Sequence, residues 1–164
     1  MGHCNISTTP TTAPPAEPTE ARIVGTAASS ELYGAKSSHL IDGLGYQDGR
    51  YSYSTCSHVN NNDAVHWYSL ELDAPHYVKE VQIARREDQG PNTPQGRNVR
   101  ITIGPSREYD AAEPLCLPQI DHLTGTGLHS YPCTGPLQKG KFVKISRPGP
   151  ETLTMCEVKV IVMA

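Results

Sequence analysis

Three kinds of side chain in this sequence could do chemistry: five cysteines, a few histidines and one short charged run. Cys56 and His58 stand two apart in Cys56-Ser57-His58, the types that a thiolate nucleophile and its base would use. In an extended chain, residues two apart share a face only where both are regular. Glu87 and Asp88, in Arg86-Glu87-Asp88, are adjacent carboxylates. Neighbours point to opposite sides of an extended chain, so they make a poor acid–base pair. Cys4, Cys56, Cys116, Cys133 and Cys156 include no Cys-x-x-Cys pair, which leaves a structural zinc site without its usual signature. The chain is therefore read as not an enzyme. Dispersed cysteines in a chain with 14 Gly and 14 Pro read as disulfides of an oxidising compartment. Asn5-Ile6-Ser7 is an N-glycosylation sequon and agrees with an extracellular location.

The elements that must position these residues are strands. At 164 residues there is room for one domain of ordinary size. The abundance of Gly and Pro opposes long helices. Trp67–Leu72, Tyr77–Ile83, Asn98–Ile103, Phe142–Ile145 and Glu157–Val162 are short runs, several alternating apolar and polar, bounded by Gly, Pro, Asn or Asp. They predict an antiparallel β-sandwich or jelly roll with long loops at roughly 43–65, 85–97 and 104–140. Residues 8–20 hold five Thr and four Pro among thirteen, so residues 1–21 read as an extended linker or stalk and residues 22–164 as the folded domain. A net charge of −3 argues against a nucleic-acid partner. No apolar run approaches the ~20 residues of a membrane span. MGHCNISTTP has no apolar core and is not a signal peptide, so a signal has been removed or the chain stays inside the cell. The cysteines favour the first.

Several segments together carry a resemblance. Leu40-Ile41-Asp42-Gly43 is followed by Cys56-Ser57-His58 and by His66-Trp67-Tyr68-Ser69-Leu70-Glu71-Leu72. Arg86-Glu87-Asp88 and Leu153-Thr154-Met155-Cys156-Glu157-Val158-Lys159-Val160 complete the order. The set resembles the F-type lectins, or fucolectins, over about residues 22–163. That family has an Ile-Asp-Gly turn, a Cys-x-His, a Trp-Trp-x-Val-Asp-Leu strand, an Arg-x-Asp and a closing Leu-x-Leu-Cys-Glu-Val-x-Val. The resemblance implies a discoidin-like jelly roll, like that of the coagulation-factor C domains.

It also implies a sugar site of His58, Arg86 and a second basic residue, with Asp88 holding Arg86 or its loop. A guanidinium offers N–H donors in a fixed fork, which suits neighbouring sugar hydroxyls. Two departures stand out. Gln89-Gly90 replaces the family's adjacent cysteines, and the first base after Asp88 is Arg97, in a loop about two residues longer. A structural calcium ion is implied too, held by Leu44 through its carbonyl, Asp48, Thr55, Cys156 through its carbonyl, and Glu157. The implied disulfides are Cys56–Cys156 and Cys116–Cys133. Cys4 is left over, an opening for a covalent partner or an oligomer. The expected function is calcium-stabilised, non-catalytic binding of fucose or a fucosylated glycan by a secreted or cell-surface protein. The alternative is a protein-binding adhesion module on the same fold. Lipid insertion is disfavoured, because the one Trp and the one Phe both lie in strand-like runs.

Overall fold

A computed structural model describes residues 16–45, 55–59, 62–88, 94–149 and 151–163. Among these residues there are nine strands, all paired antiparallel: β1 (Pro18–Glu20), β2 (Ile23–Ala28), β3 (Ser57–His58), β4 (Val65–Arg85), β5 (Arg97–Gly104), β6 (Leu115–His122), β7 (Leu128–Pro132), β8 (Gln138–Pro148) and β9 (Thr154–Met163). The helices among the described residues are two short 3-10 turns, Ser37–Ile41 and Pro94–Gly96. The expected all-β architecture is the one observed.

β4 organises the fold. The runs expected at Trp67–Leu72 and Tyr77–Ile83 are one continuous strand of 21 residues. Its first half pairs β2 on one edge and β8 on the other. Its second half pairs β9 and β7. The register against β8 breaks between Glu71 and His76, across Asp73-Ala74-Pro75. Proline has no N–H to give a ladder, so a bend where a strand changes sheets accommodates it. One layer is thus β2–β4–β8–β5–β6, and the other is β1–β9–β4–β7. β1 and β3 occupy the same edge of β9 at opposite ends.

Alternation decides what lies between the layers. Tyr68, Leu70 and Leu72 of β4, Ile101 of β5, Val143 and Ile145 of β8, and Val160 of β9 are all fully buried. Tyr68 Oη satisfies its polarity by donating to the Leu153 carbonyl at 2.8 Å. On the outer face of the β5–β8 layer, Lys144 and Glu113 form a buried ion pair, and Lys144 Nζ also donates to the Glu108 carbonyl. This pins the 105–114 loop across the sheet. Gly104 lies directly under Glu113, where a Cβ would collide with the carboxylate.

Two expectations change. The long loop read over 104–140 contains β6 and β7. Both are weakly patterned: β6 carries exposed Pro118 and Gln119, and β7 buries only Tyr131. Paired structure also begins earlier than Arg22. Pro18, Thr19 and Glu20 register against Met163, Val162 and Ile161. Three residues of the expected linker therefore extend the edge of β9. Cys4 and Asn5 lie outside the described residues.

Candidate functional site

Both implied disulfides are present. Cys116–Cys133 closes a separation of 17 residues. Cys56–Cys156 closes one of 100, worth up to about 4.7 kcal/mol in the chain-entropy model. This second bridge holds the short strand β3 against the start of β9. There the register sets His58 opposite Thr154, and His58 Nδ1 meets Thr154 Oγ1 at 2.6 Å. His58 is 7% exposed. Burial, then the charges of Arg86 and His66, push its pKa from 6.5 down to about 4. At neutral pH it is an uncharged imidazole, with one donor and one acceptor nitrogen.

Arg86 follows the last residue of β4. Its guanidinium is held from two sides: Nε donates to Asp88 Oδ1 at 2.6 Å, Nη2 to Asp88 Oδ2 at 2.9 Å, and Nη1 to Gln95 Oε1 at 3.1 Å. The two-point bond to Arg86 holds the Asp88 carboxyl below its ordinary range. Asp88 thus holds the Arg86 fork at two points. Arg85, one residue earlier, is 6% exposed and works differently. Its Nε donates to the Gly125 carbonyl and its Nη1 to the Arg86 carbonyl, both at 2.9 Å. Glu87 accepts from the Gly127 amide at 3.2 Å. The loop preceding β7 is thereby tied to the end of β4.

The structure brings His58, Arg86 and Asp88 into one neighbourhood and adds Thr154 and Gln95, which no pattern singles out. Thr154 reads as one more polar position in an alternating run. Gln95 lies in a Pro/Gly-rich stretch and carries no charge. Arg97 opens β5 opposite His122, two residues beyond Gln95. It is the 3-10 turn ahead of it that supplies a contact to Arg86.

A second cluster forms around Glu157. Its Oε2 accepts from the Gly43 amide at 3.1 Å and the Gly45 amide at 3.2 Å. Leu44 N donates to Asp42 Oδ1 at 2.9 Å, which shapes the same turn. Burial, with Asp42 nearby, raises the Glu157 pKa from 4.5 to about 7, against the pull of the two amides and Lys159. Thr55 Oγ1 contacts Cys56 Sγ at 3.8 Å. Asp48 lies outside the described residues. Among the described residues, no three His, Cys, Asp or Glu side chains converge, so a cation here would draw on backbone carbonyls. The buried Glu157 carboxylate on β9, with Asp42 on the adjacent turn, offers hard oxygens of the kind calcium takes.

No protein-family model matches the chain. Fucolectin-3 of Anguilla japonica is 27% identical over 129 residues, 79% of this chain and 68% of that protein. A fucose-binding module of Streptococcus pneumoniae superposes with a TM-score of 0.61 at 27% identity, over 83% of this chain and 91% of that one. The F-lectin of striped bass (Morone saxatilis) serum superposes with a TM-score of 0.68 at 24% identity, over 85% of this chain but 45% of its own. The chain thus spans about two thirds of the curated fucolectin and under half of the striped bass protein. In sequence and in fold, the chain is a relative of the F-type lectins.

Proposed function

We propose that this chain is a non-catalytic carbohydrate-binding domain of an extracellular protein, taking fucose or a fucosylated glycan at His58 and Arg86 and stabilised by calcium. The observation that carries this reading is the clamped guanidinium of Arg86 beside the buried, neutral His58. Sugar hydroxyls are strongly hydrated, so only donors already set in direction repay their desolvation. Asp88 and Gln95 set Arg86, and Thr154 sets the imidazole. A contribution from Arg97, at the start of β5, is part of the same proposal. The names of the relatives point to the same ligand class.

Calcium would be held by Glu157 and the carbonyls of Leu44 and Cys156, with Thr55 as a further oxygen. It would neutralise the buried carboxylate and fix the 42–45 turn. The two disulfides fit an oxidising compartment. Among the described residues, no helix is long and apolar enough to cross a membrane.

A glycan array probed with and without calcium tests the proposal. Binding of fucosylated glycans that is lost in Arg86→Ala supports it. An array on which the protein binds no glycan with calcium present overturns it, and leaves an adhesion module on the same fold.

A further inference from the structure

A pocket remains on the outer face of the β5–β8 layer that the His58–Arg86 site does not use. Arg100 of β5 registers against Ser146 of β8, and Ser146 against Trp67 of β4. These three form one cross-strand row on one face. The next row, Ile101, Ile145 and Tyr68, is fully buried. The Arg100 row therefore faces away from the core.

Three irregularities meet at this point. Val99 registers against Ile120 but Ile101 against Leu117, so β6 bulges and sets Pro118 and Gln119 together opposite Arg100. Asn98 holds φ +53°, a left-handed conformation uncommon in a residue other than glycine. Such strain and such bulges concentrate at binding sites. The Arg100 Nε is enclosed without a hydrogen-bond partner, and its guanidinium joins no ion pair among the described residues.

The pocket measures about 290 Å³. That is at the low end of small-molecule sites, room for a single ring. Tyr109, Pro118 and Pro148 give it apolar walls, and Asn98, Gln119 and Ser146 add hydroxyl and amide groups. No carboxylate is in the lining. Of the acids near it in the chain, Asp121 accepts from Gln119 Nε2 at 2.7 Å, Asp110 accepts from the Ala112 amide at 2.9 Å, Glu113 takes Lys144, and Glu108 is exposed. The apolar walls match the C–H face of a pyranose, the amides and hydroxyl match its hydroxyls, and an unneutralised guanidinium matches an oxyanion.

We propose that this pocket is a second saccharide subsite that takes an anionic pyranose, its carboxylate or sulfate group on Arg100 and its ring between Tyr109 and the two prolines. This subsite stands apart from the His58–Arg86 reading and does not rest on it.

Amide-resolved NMR titration of the full chain tests it, with glucuronic acid, glucose 6-sulfate, glucose and inorganic sulfate as separate probes. Expected are saturable shifts at Asn98, Arg100 and Gln119 with one or both acidic sugars, at least tenfold tighter than with glucose or sulfate alone. The two acidic arms tell carboxylate from sulfate. Arg100→Gln should abolish the preference for the charged sugar. Tyr109→Ala, in the loop over the sheet, should weaken all sugars while sparing inorganic sulfate. Arg86→Ala should leave these shifts intact, and fucose binding should survive Arg100→Gln. Equal response to glucose and glucuronic acid overturns the assignment. So does a response to sulfate as tight as to glucose 6-sulfate, or no response to either acidic sugar.

Discussion

Asp88→Asn isolates the role of the Arg86 clamp, since it keeps the side-chain shape and removes the charge. In the native protein both Asp88 oxygens accept from Arg86, at 2.6 and 2.9 Å. Asparagine keeps one acceptor and turns an NH₂ toward a guanidinium N–H, so one of the two bonds is lost. A hydrogen bond to a charged group is worth roughly 1.5–3 kcal/mol where solvent is excluded. The Asp88 side chain is 26% exposed, and screening brings the figure to about 1 kcal/mol. For a domain of this size, Tm should fall by about 2–4 °C. If the clamp pre-orients the fork, fucose affinity should fall by roughly tenfold, about 1.4 kcal/mol. Arg86→Lys should lose more, because an ammonium cannot reproduce two parallel N–H directions. Calorimetric titration with fucose, beside melting curves of the same samples, separates the two effects. An Asp88→Asn protein with lowered Tm and unchanged fucose affinity would refute the reasoning and reduce Asp88 to a stabilising partner.

Calcium should raise Tm more at pH 8 than at pH 5.5. The folded Glu157 carboxyl titrates near 7 against an ordinary 4.5, so without metal its contribution to stability falls as pH rises from 4.5 through 7. Calcium needs the ionised form. Glu157→Gln keeps an acceptor for the Gly43 and Gly45 amides and should cancel the calcium-dependent rise in melting scans. His58 acts with the opposite sign: its folded pKa lies near 4 against 6.5, so stability drains away as pH falls from 6.5 to 4. His58→Gln should flatten that limb of the Tm–pH curve. Thr154→Val removes the hydroxyl that meets the buried His58 Nδ1 and should lower stability by roughly 1–3 kcal/mol by urea denaturation. Gly104→Ala forces Glu113 off Lys144 and should destabilise by about 3–5 kcal/mol in the same assay, the toll of a broken buried pair. A melting curve that matches the unmodified protein would exclude that coupling.

Arg86 and Asp88 were legible because the two groups that bond each other lie two positions apart in the chain. The cysteine pairs were legible only through the family resemblance. Gln95 and Thr154 were hidden for another reason. Each acquires its role from a partner nine or 96 residues away, and neither carries a charge or an unusual spacing. The five runs all fell within strands, the alternating ones because one face is buried. β6 and β7 escaped because these edge strands bury few residues, two of eight and one of five, and so show no clear period of two. The join of Trp67–Leu72 to Tyr77–Ile83 was obscured by Asp73-Ala74-Pro75, which reads as a turn. There the backbone bends between layers without leaving the strand.

The placement of β9 has a consequence for how the domain is presented. His58 sits against Thr154 at the first residue of β9, and Pro18 sits against Met163, nine residues on. At about 3.3 Å per residue, these points are roughly 30 Å apart along the strand. Both described ends thus lie at one end of the sandwich, while Arg86, next to the Arg85–Met155 pair, lies at the other. A copy attached through either end would hold the Arg86 end outward. An array of such copies on a surface could engage clustered sugars at once, and its grip would be governed by tether length more than by the strength of any single site.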